Sequence, residues 1–152
     1  IPMAAGTAAA KGAARKNNAA GLVGIREKRY QEALRRFLEG HRLDPRDQEI
    51  ANNLGYTQMV LGHLEQAGVA LQASLIVAPR RVPAWLNLGS VFARRGRDSD
   101  ARAAFLLAYR LSSQPARTAA SLRAISGDMT LPARERQAAV AALAQLNRVR
   151  PR

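Results

Sequence analysis

The stretch that decides the fold extends from Trp85 to Leu111 and places small and large apolar residues at fixed spacings. It begins Trp85-Leu86-Asn87-Leu88-Gly89 and continues through Phe92, Gly96, Ala101, Phe105, Ala108 and Leu111. The pattern recurs when the sequence is shifted back by 34 positions, and again when the same shift is repeated. The recurring sets are Gly21, Gly55 and Gly89; Ala33, Ala67 and Ala101; Phe37, Leu71 and Phe105; and Leu43, Val77 and Leu111. A repeat of this length predicts a stack of similar supersecondary units.

The spacing W-x2-L-G-x2-F, followed by A-x3-F, resembles the helix-turn-helix unit of the tetratricopeptide repeat family over residues 14–115. Pro45 and Pro79 are separated by the same interval as the repeated glycines. Each follows a predicted second helix and ends it, because proline pushes the residue before it out of the helical region. The resemblance implies an all-α protein, a right-handed α-solenoid of helix-turn-helix repeats with a C-terminal helical cap.

The chain divides into five predicted segments. Residues 1–12 lack an apolar period and predict a flexible N-terminal lead-in. Repeats are predicted at 13–47, 48–81 and 82–115, and capping helices at 116–152. The end of a solenoid must face water, so the cap is expected to present a polar outer face. The residues expected there are Arg134, Glu135, Arg136, Gln137 and Arg148.

Three glycines, Gly21, Gly55 and Gly89, fall inside predicted helices. Glycine within a helix costs about 0.5–1 kcal/mol relative to alanine, so some interaction must offset this at each position. Because glycine lacks a side chain, it allows another helix to approach closely. We therefore predict close helix packing at all three positions.

The net charge of +13 is unevenly distributed. Residues 48–79 contain no Lys or Arg, so one continuous basic stripe is not expected. The alternative to a protein partner is RNA or an anionic surface, bound by Arg80, Arg81, Arg94, Arg95 and Arg97. Of the 24 basic residues, 21 are Arg, which together with the abundant Ala predicts a bacterial source with GC-rich DNA.

The sequence contains no catalytic, metal-binding or cofactor-binding pattern, so we predict a protein that is not an enzyme and has no cofactor. Cysteine is absent, and two histidines, His41 and His63, are too few for a metal site. A start at Ile1 instead of Met predicts a fragment or processed chain without its targeting segment. No membrane span is predicted. The cytoplasm and the bacterial cell envelope both remain open.

The resemblance implies that the first helix of each repeat lines a concave groove that receives a peptide segment. The expected partner-binding residues are Asn18, Leu22, Ile25, Arg26, Asn53, Tyr56, Met59, Asn87, Ser90 and Arg94. Asn53 and Asn87 match the Asn that the family uses to hold a peptide backbone; the alternative is that they only cap helices or face solvent. The predicted function is an adaptor, scaffold or assembly factor. The predicted partner is a protein segment with apolar anchors and acidic flanks.

Overall fold

The computed structural model describes residues 6–148 of the chain, and this part contains eight α-helices and no strand. The all-α prediction is confirmed for these residues. The helices are α1 (Ala8–Arg26), α2 (Tyr30–Leu43), α3 (Gln48–Val60), α4 (Leu64–Val77), α5 (Val82–Arg94), α6 (Asp98–Leu111), α7 (Pro115–Gly127) and α8 (Ala133–Arg148).

The chain forms two compact units, unit 1 up to Pro79 and unit 2 from Arg80 onward. In unit 1, α1 packs against α2, α3 packs against α4, and α2 also contacts α3. In unit 2, α5 packs against α6, and α8 contacts α5, α6 and α7. The core of unit 2 joins Phe105 and Leu122 to three alanines of α8, namely Ala138, Ala139 and Ala142.

The helix boundaries repeat with the period of the sequence. The second helices begin at Tyr30, Leu64 and Asp98, which share the spacing of the apolar repeat, and end at Leu43, Val77 and Leu111. The helices of the first two pairs end ahead of Pro45 and Pro79, as predicted. The apolar repeat is therefore also a repeat of backbone structure.

The prediction of a flexible lead-in over residues 1–12 is wrong from Ala8 onward, because α1 begins there. Thr7 is its N-cap: the Thr7 hydroxyl accepts a hydrogen bond from the Ala10 backbone N–H at 3.0 Å. Alanine has the highest helix propensity, so an Ala-rich segment can continue a helix without an apolar period. Residues 1–5 of the predicted lead-in lie outside the described part of the chain.

The three helix-interior glycines lie at close helix contacts, as predicted. A Cβ atom added to Gly21 would lie 2.5 Å from the Phe37 ring, and one added to Gly89 would lie 2.5 Å from the Phe105 ring. At Gly55 the nearest atom would be Cγ of Leu71, at 2.6 Å. Each glycine thus makes room for a large apolar residue in the second helix of its pair.

The turns between α1 and α2, between α3 and α4, and between α5 and α6 each contain one residue with positive φ. These residues are Lys28 (φ 58°), Gly62 (φ 83°) and Gly96 (φ 76°), again one repeat apart. In the first turn, the Arg29 N–H donates to the Gly24 carbonyl at 2.7 Å and the Lys28 N–H to that of Ile25 at 3.0 Å. This Schellman-type end needs a left-handed residue, which glycine adopts without steric cost. Lys28 is therefore the strained member of the series.

Replacing Lys28 with Gly is expected to increase the free energy of unfolding by about 0.5–1 kcal/mol, because a Cβ in the left-handed region costs energy that glycine avoids. Urea denaturation followed by circular dichroism would measure it. Lys28→Ala is the matched control and should have little effect, since Ala retains the Cβ. Equal stability of the Gly and Ala variants would contradict this explanation.

Candidate functional site

The first helices of unit 1, α1 and α3, contact each other through a polar bridge. The Asn53 amide nitrogen donates to Oδ1 of Asn18 at 2.9 Å, and the Asn18 amide nitrogen donates to Oε1 of Glu49 at 3.1 Å. Glu49 and Asn53 are separated by about one helical turn, so they share a face of α3. Asn18 therefore connects two positions of α3 to α1, and two of the predicted site residues are brought together directly.

Sequence reasoning missed Glu49, which places a carboxylate beside the two Asn side chains. Its spacing of one helical turn from Asn53 on a predicted helix was the signal available. A primary amide offers two N–H donors and a carbonyl with two lone pairs, so Asn18 and Asn53 retain bonding capacity after forming these contacts. The bridge positions the amides and leaves them able to bind a further group.

The apolar residues predicted on α1 lie partly in the core of unit 1. Leu22 and Ile25 are partly buried and pack against a cluster that includes Phe37 and Leu54. Arg26, in the last turn of α1, is exposed. On α3, Tyr56 is partly buried. These side chains thus offer a partner some apolar surface next to one cation.

Two predicted contact residues are core residues. Met59 on α3 and Ser90 on α5 are each only 4% exposed. Direct partner contact by either side chain is not supported, because almost no surface remains for a ligand. Their spacing correctly placed them on first helices but could not show which side of the helix would be covered.

Arg94 on α5 is paired within unit 2. Its Nε donates to Oε2 of Glu135 on α8 at 2.8 Å, and the Glu135 side chain is only 3% exposed. Arg94 therefore neutralises a buried carboxylate. The expectation that Glu135 belongs to a polar outer face is wrong, because α8 turns this residue toward α5.

The remaining predicted site residue of α5, Asn87, is partly buried.

The described residues contain no group of three His, Cys, Asp or Glu side chains placed to hold a metal ion. Between residues 6 and 148, no helix is both long enough and apolar enough to cross a membrane.

The architecture of regularly repeating helix pairs is shared with several solved structures, although no protein-family model and no curated protein matches the sequence. Yersinia enterocolitica SycD, in complex with a peptide of the translocator YopD, is 15% identical with a TM-score of 0.69, covering 88% of this chain and 93% of SycD. The TPR2B domain of yeast Sti1, in a pHsp70 complex, is 14% identical with a TM-score of 0.69, covering 87% and 97%. The Sgt2 TPR domain from Aspergillus fumigatus is 16% identical with a TM-score of 0.66, covering 97% and 88%. The chain has the tetratricopeptide repeat fold.

In the tetratricopeptide repeat fold, α1, α3 and α5 are the first helices of their pairs, and all ten predicted site residues lie on them. Seven belong to unit 1 and three to unit 2. The polar bridge of Asn18 and Asn53 lies in unit 1. In unit 2, α8 contacts the first helix α5, and Arg94 is paired there. The α1–α3 surface of unit 1 is therefore the better candidate for partner binding.

The Arg residues considered for RNA or an anionic surface are partly engaged within unit 2. Besides Arg94, Arg97 pairs with Asp100, with a nitrogen–oxygen distance of 2.7 Å. Its guanidinium carbon also lies 4.8 Å from the centre of the Phe92 ring. The two ion pairs, Arg94–Glu135 and Arg97–Asp100, offset part of the positive charge of this cluster, so the geometry does not favour the RNA alternative.

Proposed function

We propose that the protein is a non-catalytic adaptor or assembly factor that binds a peptide segment of another protein along α1 and α3 of unit 1. The observation that carries the proposal is the Asn18–Asn53 bridge, which holds two amides at fixed positions between the first helices of consecutive pairs. An extended peptide presents alternating N–H and C=O groups, and amide side chains can bind both. The SycD and Sti1 structures, which hold peptide or protein ligands on the same fold, support this choice.

The chemistry of the bound segment follows from the neighbours of the two amides. Leu22, Ile25 and Tyr56 are partly buried apolar or aromatic side chains, which suit apolar anchors on the ligand. Arg26 is exposed near them and favours an acidic residue on one flank, since Arg can bind a carboxylate bidentately. Glu49 disfavours a second acidic flank at its own position. The proposed ligand is thus apolar in its centre and acidic at the end near Arg26.

A phage-displayed peptide library, selected on the purified protein, would provide ligands whose affinity can be measured by fluorescence anisotropy. Asn53→Ala is expected to weaken binding by about 1–2 kcal/mol, because a desolvated peptide group of the ligand loses its partner. Asn18→Ala should have a similar effect, since it removes the group that positions Asn53.

The matched control is Asn17→Ala. Asn17 is adjacent to Asn18 on α1, but its amide nitrogen donates to the Ala13 carbonyl of its own helix at 3.1 Å. This variant should bind selected peptides as the parent does. The proposal fails if no peptide is enriched, or if folded Asn18 and Asn53 variants bind the enriched peptides as tightly as the Asn17 variant.

A further inference from the structure

A concave surface of unit 1 lies between α2 and α4, with α3 contributing to its wall. Its volume is about 480 Å³, within the range of ligand sites. The lining residues are His41, Leu54, Gln58, Glu65, Gln66, Val69, Ala70 and Ala73. The lining residues from α4 recur at intervals of three and four, so one face of that helix forms part of the wall of the groove. None of them belongs to the predicted peptide site.

Two of the lining residues each have a buried polar side-chain atom that lacks a hydrogen-bond partner. These atoms are Oε1 of Gln58, a residue only 8% exposed, and Nδ1 of half-buried His41. Buried polar atoms are nearly always paired, because an unpaired one retains its desolvation penalty. Burial also lowers the pKa of His41, so its imidazole is neutral near pH 7. The Gln58 oxygen is an acceptor, and it calls for a ligand that donates.

The charge of the groove differs from that of the chain as a whole. Among the lining residues of the groove, Glu65 alone has a formal charge at neutral pH, and that charge is negative. The chain as a whole has a net charge of +13. Residues 48–79, which supply most of the lining, contain no Lys or Arg. A positively charged group can therefore enter without meeting a cation of the lining and gains the attraction of Glu65.

The rest of the lining is aliphatic. Leu54, Ala70 and Ala73 provide small or buried apolar surfaces, and Val69 is 64% exposed at the groove. The apolar surface of Val69 is removed from water only when a ligand covers it, and this removal is favourable. The groove thus combines a hydrogen-bond acceptor and a carboxylate with walls that suit a methylene chain.

We propose that this groove binds an Arg side chain from an apolar segment of a partner protein. The methylene stem of Arg would cover Val69 and Ala73, and its guanidinium, with five N–H donors, would donate to Oε1 of Gln58 while lying near Glu65. Arg suits the site because its fork of donors can bind more than one acceptor at once. The groove would bind a cationic group, whereas the peptide site on α1 and α3 is proposed to bind an acidic group beside Arg26. The two proposals are independent of each other.

Three small probes test the chemistry of the groove on the intact protein by ¹H–¹⁵N NMR titration: butylguanidinium, its neutral isostere butylurea, and valerate. We expect butylguanidinium to shift the backbone amides of the lining residues on α3 and α4 with millimolar affinity. Butylurea should bind several-fold more weakly because it lacks the attraction to Glu65, and valerate should not bind. Shifts that map elsewhere, or equal shifts with valerate, would overturn the proposal.

Variants then identify the groups that bind the probe. Glu65→Gln is an exposed substitution that leaves the core intact, and it should reduce the affinity for butylguanidinium several-fold. Gln58→Met keeps the side-chain length but removes the acceptor, and it should reduce affinity by about tenfold. Glu32→Gln, an exposed carboxylate on α2 outside the groove lining, is the matched control and should have no effect. Equal losses for Glu65→Gln and Glu32→Gln would show a general charge effect and refute the site.

The protein source of the ligand is tested with a peptide pair. The sequence acetyl-Ala-Leu-Arg-Leu-Ala-amide should shift the same amides as butylguanidinium and bind more tightly, because its Leu side chains bury apolar area in addition to that of the Arg stem. The counterpart with citrulline in place of Arg should bind more weakly, since citrulline has the same shape without the charge. Identical affinities for the two peptides would contradict recognition of Arg.

Discussion

Replacing Arg94 with Ala is expected to destabilise the protein by about 3–5 kcal/mol, the largest effect of any substitution considered for this chain. The reason is the partner left behind: the Glu135 side chain is only 3% exposed, and its carboxylate accepts from Nε of Arg94 at 2.8 Å. A buried charge that loses its partner keeps its full desolvation penalty. Urea denaturation monitored by circular dichroism would measure the loss.

The control for this prediction replaces both partners. Arg94→Met combined with Glu135→Leu removes the two charges while keeping side-chain volume, and such replacements are often close to neutral in stability. The double variant should therefore be markedly more stable than Arg94→Ala alone. If Arg94→Ala loses less than about 1 kcal/mol, the pair is solvated and contributes as little as an ordinary surface ion pair.

Gly89→Ala is expected to destabilise the protein by about 2–3 kcal/mol, although alanine is the better helix former. The added Cβ would lie 2.5 Å from the ring of Phe105, which is fully buried, so α5 and α6 would have to separate or the ring would have to leave its position. Thermal unfolding monitored by circular dichroism should show a clear decrease in Tm.

The matched control is Gly68→Ala on α4. A Cβ added to Gly68 meets nothing within 4 Å, so this variant should gain about 0.5–1 kcal/mol from helix propensity alone. The two substitutions make the same chemical change and are predicted to have opposite signs. A loss of stability at both positions would mean that helix packing does not explain the glycine at position 89.

The repeat made much of the fold predictable. Gly89 and Phe105 share a spacing with Gly21 and Phe37, and each pair marks a contact within one helical pair. Such contacts are local in sequence, so their pattern is visible before folding. Helix propensity was the weaker guide: α1 begins at Ala8, where alanine and the Thr7 cap extend a helix that lacks an apolar stripe.

The candidate site was predicted less completely. The sequence placed Asn18 and Asn53 on first helices, but it did not show that they bind each other, nor that Glu49 joins them. It could not separate the buried Met59 from the partly buried Tyr56 on the same helix. The burial of each depends on which neighbouring elements cover its side of α3.

The sequence alone determined the helical period, the paired helices and the glycines at their contacts, because all three depend on residues separated by fixed, short distances along the chain. Only the tertiary structure decided which of the predicted binding residues remain available. Arg94 was expected to meet a ligand, but it is bound to Glu135 on a helix outside the repeat. Nothing periodic connects these two residues, so their pairing is decided by how α8 packs against α5.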